Sequence, residues 1–240
     1  MPPDDAHPGD QRAWWGACYA ADPCLFGPGP SSAGLEAAAL FRSAGVRDVL
    51  ELGAGHGRDT LHFAREGLSV TALDYASEAV RCLVAAADRE GLADRVAVRV
   101  ADLRGPLPSP DGSFDAAYAH MLLCMDLADD ELDRLVAGVR RVLRPGGLFV
   151  YTARTDRDAH CGIGVDRGDG RWETGGFVVR FFSPATVERL ATGWEVVATR
   201  EFEEGALPRR LVAVTMRRPY GAPGTAARGR DESIPIRYHG

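Results

Sequence analysis

Val46-Arg47-Asp48-Val49-Leu50-Glu51-Leu52-Gly53-Ala54-Gly55-His56-Gly57-Arg58 decides the fold. The apolar run Val46–Leu52 reads as a buried strand, and it ends on alternate glycines ahead of a helical stretch over Asp59–Glu66. Glycines at a strand-to-helix turn let backbone approach a ligand where any Cβ would intrude. Two details narrow that ligand. Arg58 fills the slot where a dinucleotide fingerprint needs its third glycine, so the spacing is GxGxG. Glu51, two residues before Gly53, repels a pyrophosphate and welcomes a cation. A positively charged ligand without phosphate is expected.

Working outward, the pattern alternates between strand and helix. Ser31 or Ser32 caps a helix over 33–44, after the turn Gly27-Pro28-Gly29-Pro30. Further strands are expected at Leu68–Leu73, Val96–Ala101, Phe114–Ala119 and Leu148–Ala153. Helices are expected at Ser77–Glu90, closed by Gly91, and at Asp129–Val142, stopped by Arg144-Pro145-Gly146-Gly147. This rhythm predicts βαβ units: an α/β, doubly wound, mostly parallel Rossmann-like sheet. Residues 154–175 read as a long polar functional loop. Phe177–Phe182 follows as a short strand, and Pro184–Leu190 as a helix capped by Ser183. Trp194–Phe202 and Arg210–Arg217 form an antiparallel C-terminal edge hairpin. The chain divides into an N-terminal arm or lid over 1–32, a ligand-binding domain over 33–218 and a mobile tail over 219–240. Trp14, Trp15, Tyr19 and Phe26 should pack part of the arm down.

Two more carboxylates fall at strand ends. Asp74 ends Val70–Asp74, about 20 residues beyond the glycines, where a carboxylate can accept both hydroxyls of a ribose. Asp102 ends Val98–Asp102, where it can accept from a base amino group. The fourth strand's tip, Tyr118-Ala119-His120, points over the same ligand. In an open parallel sheet ligands bind beyond the carboxyl ends of the strands, and all these segments end there.

Composition removes whole classes. The 240 residues, 45% hydrophobic, suit one α/β domain with a short decoration at each end. All 28 basic residues are Arg, so neither a lysine imine nor a P-loop lysine is available. Asn is missing as well, which rules out the Asn-Pro-Pro-Tyr-type motif of DNA amino-methylating enzymes. A net charge of −6 with pI near 5.5 argues against nucleic acid. There is no long apolar run for a membrane, and the acidic start lacks a leader pattern. Five scattered cysteines (Cys18, Cys24, Cys82, Cys124, Cys161) make no disulfide or zinc pattern, so a cytoplasmic protein is expected. Asp158, His160 and Cys161 crowd three ligand types into four residues, awkward for one tetrahedral ion, and no metal is expected.

From Val46 to Ala153 the sequence resembles the class I S-adenosylmethionine (SAM)-dependent methyltransferases, including Leu143-Arg144-Pro145-Gly146-Gly147 before the fifth strand. Gly57-Arg58-Asp59-Thr60-Leu61 and Val100-Ala101-Asp102-Leu103 are loosely similar to its tellurite-resistance and thiol-methylating branch. The resemblance implies SAM as cofactor, a small-molecule methyl acceptor and in-line methyl transfer. It implies Glu51, Gly53, Gly55 and Gly57 at the methionine side, Asp74 at the ribose, and Asp102 and Leu103 at the adenine. Ala119 and His120 then lie near the transferred methyl, with Ala54 and Tyr75 completing the cofactor set.

His120 and His160 are the candidate catalytic groups, and Tyr19, Arg154, Arg180 and Arg209 the candidate acceptor-binding ones. Competing readings are a SAM-binding sensor or catalytically silent relative, and, disfavoured by GxGxG with Glu51, a nicotinamide-dependent oxidoreductase. Neither the acceptor's identity nor an oligomeric state follows from the sequence.

Overall fold

The computed structural model describes residues 11–22, 25–27, 29–205 and 209–221. The expected residues of the tail beyond 221, of the arm before 11, and Cys24 lie outside them. The chain begins with α1 (Gln11–Ala21) and α2 (Ser32–Ser43), then alternates through β1 (Asp48–Leu52), α3 (Arg58–Arg65), β2 (Ser69–Asp74), α4 (Ser77–Arg89) and β3 (Val96–Val100). It continues with β4 (Phe114–His120), α5 (Asp129–Val142), β5 (Leu143–Arg154), β6 (Val165–Gly168), β7 (Arg171–Thr174), β8 (Phe177–Arg180), α6 (Pro184–Leu190), β9 (Glu195–Glu204) and β10 (Arg209–Arg217).

The main sheet runs β3-β2-β1-β4-β5-β10-β9. β1 pairs in parallel with both β2 and β4, so the connections leave to opposite sides between β1 and β4, and a cleft opens at that switch point. β10 pairs antiparallel with β5 and β9, as the edge hairpin predicts. Period-2 alternation assigns the faces. Val49, Val70, Tyr118 and Val150 bury against Phe41 of α2 and Phe63 of α3. On the other face Leu50, Leu52 and Phe149 bury against Leu132, Leu135 and Val139 of α5 and Leu190 of α6. Glu51, Asp74 and His120 share the odd or even positions of the first face, so side chains from three strands converge on one side of the cleft.

Local chemistry fixes the helix ends. Ser31 accepts from the Gly34 amide to cap α2, and Ser183 accepts from Thr186 to cap α6, which starts on Pro184. Glu131 accepts from the Ala128 amide at the start of α5.

Two expectations are corrected. Residues 143–147 are the start of β5 and not merely a helix stop: Gly146 and Arg218 exchange backbone hydrogen bonds with Gly147 involved on the return, so the last strand's exit zips this segment to the sheet. And 154–175 is not a long loop, because β6, β7 and β8 form a separate antiparallel sheet. Its turns are Asp169-Gly170, at φ 55° and 72°, and Gly175-Gly176, at φ 57° and 79°. Paired positive φ values are what a two-residue hairpin with right-twisted strands requires. Phe182 then returns to the tip of β5, donating to the Arg154 carbonyl at 2.7 Å.

Candidate active site

The glycine turn is held by the carboxylate that follows β2. Asp74 accepts from the Gly55 amide at 2.8 Å through one oxygen and from the Ala76 amide at 2.8 Å through the other. Burial raises its carboxyl, and the amides of Ala76, Gly55 and Tyr75 work against that rise. Gly53, Gly55 and Gly57 have φ of 72°, 53° and 81°. A Cβ on Gly57 would stand 2.1 Å from Leu83, and one on Gly55 would stand 2.7 Å from the Tyr19 hydroxyl. The turn therefore has no room for side chains of its own, and Tyr19, Leu83 and Leu122 pack directly on its backbone. Ala54 and Leu103 are buried beside it, and Ala119 is fully buried at the tip of β4.

Glu51 is buried behind the cradle and accepts a short hydrogen bond from the Thr60 hydroxyl. Burial and the nearby Asp59 push its carboxyl well above the ordinary range. Asp59 is itself a hub that sequence reasoning missed. It accepts from the Ser31 amide at 2.7 Å, the Ser31 hydroxyl at 2.8 Å and the Tyr118 hydroxyl at 3.1 Å, tying α2, α3 and β4 together. The signal was present in Gly34, whose missing Cβ would lie 2.4 Å from an Asp59 oxygen.

Asp102 sits after β3, exposed, and Arg104 grips both of its oxygens at 3.0 and 2.6 Å. That hydrogen bonding outweighs desolvation and holds its carboxyl below the ordinary value. Tyr75 donates to the Gln11 carbonyl at 3.2 Å, and Tyr19 stacks on Trp15 at 5.4 Å. These contacts lay α1 across the glycine turn, with the Tyr19 hydroxyl over Gly55 rather than deep on the far side. The arm also reaches the small sheet, since Trp14 and Phe177 meet at 4.6 Å and Gln11 donates to the Val178 carbonyl.

His120, the last residue of β4, lies between two partners. Its Nδ1 is 2.9 Å from the Thr152 hydroxyl, and its Nε2 is 3.3 Å from Glu204. Glu204 ends β9, two strands beyond β5, and nothing in local sequence pointed to it. Met121 follows His120 with φ of 58°, a left-handed turn uncommon outside glycine that swings the chain away from the strand tip.

The remaining candidates make interactions of their own. Arg154 grips Asp158 at 3.1 and 2.6 Å, donates to His160 Nδ1 at 2.9 Å and stands 5.0 Å from the Phe181 ring centre. Burial would raise Asp158, but Arg154 and the His160 amide outweigh it and bring the carboxyl down to about 2. Arg180 is buried and directed away from the cleft, with its donors on the Leu127 carbonyl at 2.7 Å and Asp129 at 2.6 Å. Arg209 opens β10 directly opposite Glu204.

Glycine cradle, strand-end acid and β4 tip all gather at one switch point, and the central stretch that carries them matches a known family. Residues 49–147 fit the family described as a methyltransferase domain. Over this stretch the chain is similar to methyltransferase domains. The chain is 32% identical over 101 residues to an uncharacterised methyltransferase of Synechocystis, covering 42% of this chain and 44% of that one. It is 35% identical over 103 residues to a demethylmenaquinone methyltransferase of Tropheryma whipplei, covering 43% and 40%. The chain thus spans less than half the length of the curated relatives it matches.

Solved structures extend the likeness to the flanks of this stretch. The N-methyltransferase NodS of Bradyrhizobium japonicum, in complex with S-adenosylhomocysteine, superposes with a TM-score of 0.66 at 15% identity, covering 88% of this chain and all (100%) of that one. TehB of Haemophilus influenzae superposes with 0.61 at 15% identity, covering 78% and 62%. At these identities the shared property is the fold.

No helix among the described residues is long and apolar enough to cross a membrane.

Proposed function

We propose that this protein is a SAM-dependent methyltransferase acting on a small-molecule acceptor in the cytoplasm. The single observation that carries the reading is Asp74 holding the Gly55 amide at the turn after β1, a carboxylate and a glycine cradle meeting at the switch point. The residues fit that cofactor. The turn has no room for side chains of its own, the Asp74 carboxylate stands against it, and no lysine exists in the chain to favour a phosphate. Glu51, Gly53, Ala54, Gly55 and Gly57 would hold the methionine end, Asp74 and Tyr75 the ribose, and Asp102 and Leu103 the adenine. When bound, SAM supplies an electrophilic methyl on a sulfonium.

The chain's own contribution is alignment and exclusion of water. The cradle and strand ends fix the donor, and α1 covers the glycine turn through Tyr19. Ala119 and His120 border the methyl end. The arm and the β6–β8 sheet, joined through Trp14 and Phe177, close the acceptor side, with His160, Arg154 and Arg209 at its margin. The arm over 1–32 then serves as a lid on the domain over 33–218. The net charge of −6 and the compact cleft favour a metabolite over nucleic acid.

The test is calorimetric titration with SAM, S-adenosylhomocysteine and NADH, followed by homocysteine release with a panel of phenols, amines, thiols and carboxylates. Micromolar heat with the two adenosyl ligands alone is expected. Binding of NADH instead, or of neither adenosyl ligand, would refute the reading.

A further inference from the structure

The hydrogen-bond pattern around His120 decides where its protons lie. Thr152 is fully buried, and its hydroxyl oxygen already accepts from the Met121 amide at 3.0 Å. The hydroxyl proton must find an acceptor, because a buried donor left unpaired costs about 1–3 kcal/mol. Among the described residues the acceptor in reach is His120 Nδ1, at 2.9 Å. Nδ1 therefore accepts, the ring proton resides on Nε2, and Nε2 points at Glu204, 3.3 Å away. In this arrangement His120 has no free lone pair with which to take a proton. The outward acceptor is the carboxylate.

How Glu204 reaches β4 follows from register. β5 ends at Arg154, opposite Leu211 of β10, which is opposite Phe202 of β9. The hairpin continues past that point through the Arg210–Glu203 and Arg209–Glu204 pairs. The Thr155 amide donates to the Arg210 carbonyl at 2.9 Å, and the Arg210 amide donates to Asp158 at 2.9 Å, which pins the overhang. On the alternation of this sheet Glu204 stands on the face that carries His120 and Thr152. The overhang thus folds a carboxylate from the sheet's edge over the tip of its fourth strand, leaving its side chain 22% exposed.

We propose that Glu204 is the acceptor-binding group of this site, that it receives a primary or secondary amine, and that Thr152 and His120 are the positioning residues that hold it. The proposal rests on the methyltransferase reading. The lone pair of the neutral amine forms the N–CH3 bond, the S–CH3 bond breaks with its electron pair left on sulfur, and the resulting ammonium is held against the Glu204 carboxylate until it leaves and gives its proton to water. Charge balances, since the sulfonium charge moves to nitrogen and is cancelled as the proton is lost. Hydrogen bonding from His120 keeps the Glu204 carboxyl below the ordinary range despite its burial, with Arg58 and Arg209 acting in the same direction. A carboxylate so held is a poor base for a phenol or alcohol but a good counterion for nitrogen that becomes positive during transfer.

The experiment combines turnover with a spectroscopic reading on the full chain. Long-range 1H–15N spectra of histidine-labelled protein, with His120 assigned by its loss in His120→Gln, should report the Nε2–H tautomer, and Thr152→Val should release that preference. In the homocysteine-release panel, benzylamine- and ethanolamine-type probes should turn over while phenols, thiols and carboxylates do not. Glu204→Gln should lower kcat/KM for amines at least about tenfold with SAM affinity within about twofold of the parent, and Glu204→Asp should recover part of the loss. An Nδ1–H tautomer, turnover confined to phenols or thiols, turnover of no amine, or amine turnover indifferent to Glu204→Gln would each overturn the proposal while SAM still binds. Absence of SAM binding would bring down the underlying methyltransferase reading first.

Discussion

Asp74 and Glu204, which the proposed reading sets on the cofactor and acceptor sides, arrive at their places by different routes. Asp74 ends a strand hydrogen-bonded to β1, 19 positions from the Gly55 amide it holds, and its partners are backbone amides. Glu204 comes from a strand at the sheet's edge, 84 positions from His120 in the chain, and its partner is a side chain. The proposed cofactor wall is made of backbone shaped by glycine, and adjacent strands of a βαβ unit bring it together with little choice. The acceptor wall is made of long-range side-chain pairs. Such a wall can be rebuilt without disturbing the sheet, which is how one adenosyl-binding fold can serve many acceptors.

The contrast can be broken experimentally, most severely on the acceptor wall. Asp158→Ala leaves Arg154 buried without its carboxylate, and a loss of about 3–5 kcal/mol in urea-unfolding free energy is expected. Because Asp158 is held at about 2, below the roughly 3.9 of an unfolded chain, its stabilisation is complete above pH 4 and is lost as pH falls through about 2. Acid-unfolding curves of parent and Asp158→Ala should therefore converge only below about pH 3. A parent curve insensitive to this substitution at pH 7 would show that the ion pair does not anchor the wall.

Next in size is the cradle. Gly57→Ala forces a Cβ at positive φ against buried Leu83, and about 2–4 kcal/mol of stability should be lost, split between backbone strain and overpacking. If the unfolding midpoint hardly moves, the turn is less rigid than its geometry implies. Asp74→Asn should cost less in stability but weaken SAM binding by about 1.5–3 kcal/mol, roughly ten- to a hundredfold in Kd by calorimetry, since a charged acceptor becomes neutral. Unchanged affinity would remove Asp74 from the ribose.

The smallest effect should come from the contact between the two walls' covers. Trp14→Ala deletes the ring that meets Phe177, and amide exchange over 11–21 should speed up in proportion to about 1 kcal/mol. Exchange left unchanged would mean that the arm is held by its other contacts, those of Gln11, Trp15, Tyr19 and Tyr75.

Much of this architecture was legible. The helices over 129–142 and 184–190 carry their periodicity, acids and caps in the sequence, and the structure has them at those residues. Of the small sheet only β8 was legible, because β6 and β7 are four residues each, exposed or half-buried, and lack apolar alternation. Only Asp169-Gly170 and Gly175-Gly176 betrayed those two. Arg180 reads as a cation for a ligand on charge alone. Its place in the fold, buried against Leu127 and Asp129, depends on a β8 packing that no local pattern encodes.

By itself the chain's order of residues determined the parallel sheet, the glycine turn and the strand-end carboxylates. Those features arise from periodicities and spacings of a few to about twenty residues, and backbone geometry translates them directly. Tertiary structure alone decided which distant side chains meet: the Asp59 hub with Ser31 and Tyr118, and Glu204 beside His120. A contact between residues far apart in the chain leaves no local mark on either of them, because it exists only after the core has placed both.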